Sequence, residues 1–319
     1  HCEYTQDELG KKYPSMMHHD MNQSFDQLRM SIPSMQRMTN QQIMGMMKMM
    51  GPNYYWPVSN QGSENNGVLI MAHGYGPGGD QDLFDSAHSI GMIYQTTLSM
   101  GMSMMTSSHV ICSVNEMIDN NVEKIFVVPV SSTAHNTLVR QWNYIFGLED
   151  NYAYAEVEQI NNEKIVMLDP ISDDLYAKKI ILEYTNEISS DPSNEVLIII
   201  AHGPIDELDN NIELDLMNNI GDYIKQHTSI KTVMAFTLQD DAPKEIRDRN
   251  LDNIKTFMRT SKEEGKRVLM VSNLMSGKGI QRKLAKDFEG YDYRFNSKGL
   301  LTHPYYIEWI KESVAKHSE

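Results

Sequence analysis

Apolar and polar positions along this chain fall into two distinct periods. Short, β-branched runs stand well apart: Val68-Leu69-Ile70-Met71, Ile125-Phe126-Val127-Val128-Pro129-Val130, Ile165-Val166-Met167-Leu168, Val196-Leu197-Ile198-Ile199-Ile200 and Val268-Leu269-Met270-Val271. Runs without alternation predict strands buried on both faces, the pattern of parallel sheets covered by helices. Between the runs, residues 82–96, 107–121 and 212–227 space their apolar positions at three and four, which predicts crossover helices. The fold class that follows is α/β.

Two of the runs continue alike. One ends in Ala72-His73-Gly74 and another in Ala201-His202-Gly203. Each opens a block that closes on an apolar segment, a Pro-containing turn and a helix: Leu168-Asp169-Pro170 in the first block, Thr302-His303-Pro304 in the second. The repeat predicts two similar domains, each a mainly parallel sheet with helices on both faces, and a cleft between them. Composition divides the chain into a Met/His-rich N-terminal segment and linker (1–66), a first repeat (67–190) and a second repeat (191–319). Residues 59–67, polar and Gly-bearing, read as the linker. In open α/β sheets ligands bind beyond the carboxyl ends of strands, where both Ala-His-Gly motifs fall.

Charge narrows the range of partners. The 319 residues carry 28 Lys plus Arg against 43 Asp plus Glu, a formal charge of −15. Such a surface repels phosphate backbones and argues against nucleic-acid binding. No apolar stretch of roughly 18 residues occurs, so no transmembrane segment is expected. Cys2 and Cys112 are too few for a disulfide framework or a four-cysteine zinc site. The sequence starts at His1 without a Met; a Cys at position 2 suits an exported, lipid-anchored protein after signal removal, and a trimmed sequence leaves the same start.

Methionine is the outlier, with 24 copies against 8 Phe and 3 Trp. Residues 1–60 hold Met16, Met17, Met21, Met30, Met35, Met38, Met44, Met46, Met47, Met49 and Met50, with His18 and His19 among them. A second group is Met100, Met102, Met104 and Met105; in a strand over 96–104 the first three would share one face. Thioether sulfur is soft and favours Cu(I) over Co(II) or Ni(II). Methionine is also a flexible core filler. On the copper reading, removing residues 1–60 strips Cu(I) binding and leaves the body folded. On the packing reading, the same truncation exposes an apolar face and lowers stability.

Candidate chemistry centres on two histidines. His73 sits at a strand end before Gly74-Tyr75-Gly76-Pro77-Gly78-Gly79, and His135 follows the strand through 130 by way of Ser131-Ser132-Thr133-Ala134. The two can emerge at one edge, where paired imidazoles bind a divalent metal and accept protons near their ordinary pKa of about 6.5. The glycine-rich turn lacks the Lys-Ser/Thr of a P-loop and the spacing of a dinucleotide fingerprint.

These motifs carry a resemblance. The chain resembles the sirohydrochlorin cobaltochelatases, class II tetrapyrrole chelatases, in a long two-repeat form with an added Met-rich N-terminal segment. The matching pieces are Leu69-Ile70-Met71-Ala72-His73-Gly74, Val127-Val128-Pro129-Val130-Ser131-Ser132 with His135, Ile199-Ile200-Ala201-His202-Gly203-Pro204, Gln239-Asp240-Asp241-Ala242-Pro243, and Gly299-Leu300-Leu301-Thr302-His303-Pro304. The resemblance implies insertion of a divalent metal into a sirohydrochlorin-type tetrapyrrole, as in cobalamin biosynthesis, with His73 and His135 as metal ligand and proton acceptor. Cobalt is the first metal implied, nickel or iron the next, and a cytoplasmic setting and homo-oligomeric assembly are compatible with it. The second repeat departs from the pattern, because Ser272-Asn273-Leu274-Met275-Ser276-Gly277-Lys278-Gly279 contains no His. His202 is therefore expected to be structural or to line the far wall of the cleft. Glu116, Asp240 and Asp241 could guide a cation and are left unassigned. The alternative is a chelatase-derived protein that binds or delivers copper through its Met/His-rich segments.

Overall fold

The computed structural model describes residues 2–15, 21–101, 105–277 and 279–319. Two compact units divide the chain, His1–Pro170 with Ile310–Glu319, and Ile171–Trp309. These units do not follow the composition boundaries, because the N-terminal segment contributes strands to the first sheet and the helix over 175–188 packs on the second.

In the first unit the elements run β1 (Tyr4–Gln6), β2 (Lys12–Pro14), α1 (Met21–Ser31), α2 (Asn40–Met50), β3 (Tyr54–Ser59), β4 (Gly67–Ala72), α3 (Gly76–Ser86), α4 (His88–Gly91), β5 (Gln95–Met100), α5 (Ser108–Asp119), β6 (Ile125–Pro129), α6 (Thr137–Ile145) and β7 (Ile165–Met167). The sheet order is β1-β2-β3-β5-β4-β6-β7. Strands β5, β4, β6 and β7 are mutually parallel, and β3 joins β5 antiparallel. Every residue of β4, β5 and β6 is buried, as the continuous apolar runs predict for β4 and β6. Side chains alternate across the pleat: Leu69, Met71, Ile125 and Val127 pack with Val110, Val114 and Met117 of α5 and Val139, Trp142 and Ile145 of α6.

The second unit repeats the plan with α7 (Leu175–Ile188), β8 (Glu195–Ala201), α8 (Glu207–His227), β9 (Thr232–Thr237), α9 (Lys244–Glu263), β10 (Arg267–Ser272), α10 (Ile280–Asp287), β11 (Arg294–Asn296) and the start of α11 (Pro304–Ser318). Its four strands are parallel in the order β11-β10-β8-β9. This matches β7-β6-β4-β5, so the two Ala-His-Gly strands occupy equivalent central places. Val196, Ile198, Ile200, Val268 and Met270 pack with Leu251, Ile254 and Met258 of α9 and with Ile280 and Leu284 of α10. Helix α8 starts five residues before the predicted 212, because the Asp206 side chain accepts from the N–H groups of Leu208 and Asp209 and so caps it.

Two local departures from the sequence reading have physical causes. The helix expected over 82–96 lies at 76–86: Pro77 suits the first helical turn, where no N–H partner exists, so the glycine-rich run opens α3 instead of remaining a turn. Residues 95 and 96 pass into β5. The strand expected over 96–104 ends at Met100; Met102 and Met104 lie outside the described residues, as do Met16, Met17, His18 and His19.

The N-terminal hairpin is held by non-local contacts. Cys2 and Cys112 form a disulfide spanning 110 residues, a closure that by chain entropy stabilises on the order of 4–5 kcal/mol. Lys12 Nζ pairs with Glu116 at 2.7 Å, and Tyr55 donates to the same carboxylate at 2.9 Å. The Lys11 ammonium lies 4.6 Å from the Trp56 ring centre and 5.0 Å from that of Tyr54, and Trp56 stacks on Phe84. Glu116 thus anchors β2 and β3 to α5. Methionines divide between two environments. Met35 and Met105 are buried with Phe25, Leu28, Ile32 and Ile43, and Met21, Met38, Met46 and Met47 pack against that cluster. Met30, Met44, Met49 and Met50 are exposed.

One buried titrating group sets a pH dependence. His109, in the first turn of α5, is 1% exposed, and burial pushes its pKa down to about 3. The unfolded chain takes up a proton near 6.5 and the folded chain does not, so stability is complete above that pH and is lost as pH falls toward 3. Between about pH 6.5 and about pH 5 this amounts to about 2 kcal/mol. His109→Gln should remove that part of the slope in denaturant melts; identical slopes in variant and wild type would refute it.

Candidate functional site

The carboxyl ends of β4 and β6 lie side by side. Their register runs to Met71 opposite Pro129, and the Val130 N–H extends it by donating to the Met71 carbonyl at 2.8 Å. His73 leaves β4 just beyond this point. The following Gly74 has φ +91°, a conformation that favours glycine. It lets the chain reverse so that His73 Nδ1 donates to the Gly74 carbonyl at 2.7 Å. That bond assigns the proton to Nδ1 in the neutral ring and leaves the lone pair on Nε2. The Tyr75 ring lies 4.5 Å from the imidazole, centre to centre.

Asp80 fixes this turn. It is 5% exposed; Oδ1 accepts from the Tyr75 N–H at 2.7 Å and Oδ2 from the Tyr54 hydroxyl at 2.5 Å. Burial first, and then the Asp80 hydrogen bond and charge, drive the Tyr54 phenol well above its ordinary pKa, so it stays a donor. The sequence reading missed Asp80 and Tyr54. The signal available was an Asp four residues after Gly76 at the start of a helix.

His135 reaches the same edge by a different device. The Ser131 hydroxyl donates to the Thr133 carbonyl at 2.8 Å, and the His135 N–H donates to Thr133 Oγ1 at 3.1 Å. Asn136 then caps α6 through the Val139 N–H at 2.9 Å while its amide nitrogen donates to Ser131 Oγ and the Thr133 carbonyl. The imidazole of His135 is exposed, and that of His73 half-buried. The fold therefore brings both residues to the carboxyl ends of adjacent, hydrogen-bonded strands. Among the described residues no group of three or more His, Cys, Asp or Glu gathers as a ready-made metal cage.

In the second unit the equivalent edge is closed by charge pairing. His202 follows β8, and a Cβ on Gly203 (φ +72°) would meet Asn210 and Thr237 at 2.6 Å. His202 Nδ1 lies 3.3 Å from Asp240 Oδ2, and its side chain is 63% exposed. Asp240 also accepts from Arg247 Nε at 2.7 Å and Lys283 Nζ at 2.8 Å. Burial alone would raise the Asp240 pKa; the hydrogen bonds from His202, Lys283 and Arg247 outweigh it and hold the carboxyl well below the usual range. This carboxylate is already committed to cations, and Asp241 is exposed. His303 is likewise engaged: Nδ1 accepts from the Tyr305 N–H at 3.1 Å and Nε2 donates to Glu183 at 2.5 Å.

No protein-family model and no curated protein matches the chain. Among solved structures, SirB from Bacillus subtilis, determined with Fe3+, aligns over 79% of this chain and 94% of its own at a TM-score of 0.58 and 13% identity. DR2241 from Deinococcus radiodurans, a multi-domain protein described as structurally similar to chelatases, aligns over 78% of this chain and 55% of its own, at 12% identity and a TM-score of 0.48, too low to bear on the fold. The likeness to SirB shows a shared α/β fold. No helix among the described residues is long and apolar enough to cross a membrane.

If Asp80 organises the turn after His73, Tyr54→Phe deletes a hydrogen bond to a buried carboxylate. It should cost about 1.5–3 kcal/mol in chemical denaturation. A variant as stable as wild type would show that the turn holds without it.

Proposed function

We propose that the chain inserts a divalent metal, cobalt foremost, into a sirohydrochlorin-type tetrapyrrole, with His73 and His135 as metal ligand and proton acceptor. The observation that carries this reading is the placement of both histidines at the carboxyl ends of neighbouring parallel strands β4 and β6. The tetrapyrrole must lose two pyrrole protons while the hydrated metal sheds water. An imidazole whose Nδ1–H is held by a backbone carbonyl carries its lone pair on Nε2, the atom that serves as ligand or base, and His73 makes that Nδ1 bond. A pair of nitrogens, with no carboxylate cage around it among the described residues, suits a metal that is cargo: it is held weakly enough to be released to four pyrrole nitrogens.

The two repeats divide the labour. The second repeat lacks a counterpart of His135, and its strand-end carboxylate, Asp240, is neutralised by Arg247 and Lys283. Metal handling therefore belongs to the first repeat. The Cys2–Cys112 disulfide adds a reading of place: such bonds persist in oxidising compartments, which supports export over a cytoplasmic setting.

An insertion assay with Co(II), Ni(II) and Fe(II) tests the reading. His73→Ala and His135→Ala should each slow insertion by at least about tenfold, the lower range for loss of a proton acceptor, while His202→Ala should leave the rate near wild type. Equal losses at all three positions, or no insertion of any of these metals, would overturn it.

A further inference from the structure

We infer that helix α2 carries a separate Cu(I) site, formed by the thioethers of Met46, Met49 and Met50. Five of the eleven residues of α2 are methionine, and Thr39 and Gln42 cap its start with reciprocal hydrogen bonds, so the helix is well defined. Its single fully buried residue is Ile43. Met46 and Met47 pack beside it, while Met49 is 83% and Met50 44% exposed. Packing accounts for the inner methionines and leaves the outer ones without a core role.

Positions 46, 49 and 50 stand at i, i+3 and i+4. On a helix such residues are neighbours, with Cβ atoms about 5–6 Å apart. The sulfur lies two bonds beyond Cβ on an unbranched stem, so three thioethers on this face can converge on one ion. Met46, partly packed, fixes one edge, and Met49 and Met50 close from solvent. The helix contains no Cys, His, Asp or Glu, so its methionine end offers harder divalent ions no imidazole, thiolate or carboxylate. Three neutral, soft sulfurs select a soft monovalent ion, and Cu(I) is the biological one.

The cysteines point the same way. Both are joined in the disulfide and no free thiol remains. Where thiols oxidise to disulfides, thioethers are the soft ligands that persist. This site shares no residue with His73 and His135, so copper on α2 and a divalent metal at the strand ends are independent. Binding involves no change in oxidation state: the ion enters and leaves as Cu(I).

The test uses the full chain with its disulfide intact. Cu(I), kept reduced with ascorbate, is titrated in competition with a chromophoric chelator. Wild type should hold a Cu(I) equivalent that Met46→Leu/Met49→Leu/Met50→Leu loses. Leu conserves volume at the packed position, and Met49→Leu/Met50→Leu, which touches only exposed residues, should bind that equivalent at least about tenfold more weakly should the triple variant be unstable. Ag(I), a redox-inert surrogate, should slow peroxide oxidation of Met49 and Met50 and leave Met92, itself 73% exposed, oxidising at its free rate. Unchanged stoichiometry and affinity in the variants, or equal protection at Met92, would overturn the site.

Discussion

The central pairing of β4 with β6 governs what this molecule can do. Two short parallel strands, buried on both faces, run in register from Gly67 opposite Ile125 to Met71 opposite Pro129. Because the side-chain period is two, a slip of one residue would turn Leu69, Met71 and Val127 away from α5 and α6. The packing that fixes the register also fixes where the strands stop, and hence where His73 and His135 leave the sheet. Neither histidine positions itself: a glycine at positive φ and a buried aspartate aim the first, and a Ser-Thr-Asn turn aims the second.

The same scaffold serves two ends in the two repeats. In the first unit the strand-end imidazole is bonded to a backbone carbonyl, a neutral partner that sets the tautomer without adding charge. In the second, the equivalent imidazole faces an aspartate that two cations already satisfy. A cation approaching Asp240 would have to displace Arg247 or Lys283, and Arg247 is also tied to Asp287 at 2.6 Å. The charge pairing of Asp240 is one difference between the repeats, and the missing histidine is the other.

Legibility in the sequence follows how local each interaction is. The strands at 68, 125, 196 and 268 were readable because double burial forces uninterrupted apolar runs. His73 and His135 could be placed at one edge because each follows such a run, His73 directly and His135 after a short polar turn. The N-terminal sheet extension was not readable: β1 and β2 are three residues each with no buried residue, and β3 contains Pro57. What holds them is the Cys2–Cys112 bond, the Lys12–Glu116 pair and Lys11 against Trp56, contacts that join residues distant in sequence. Asp80 was hidden for a related reason, since its meaning depends on Tyr54 from another strand. Methionine composition alone could not separate Met35, a core residue, from Met49, a surface one; the tertiary packing of each does.

The central claim is that one divalent ion meets both imidazoles of the first unit. Paramagnetic Co(II) added to the intact chain, followed through assigned histidine ring resonances, tests it most directly. The account predicts that signals of His73 and His135 broaden together, at the lowest Co(II) added and ahead of every other histidine. Broadening centred on His202, or on one member of the pair without the other, would contradict it.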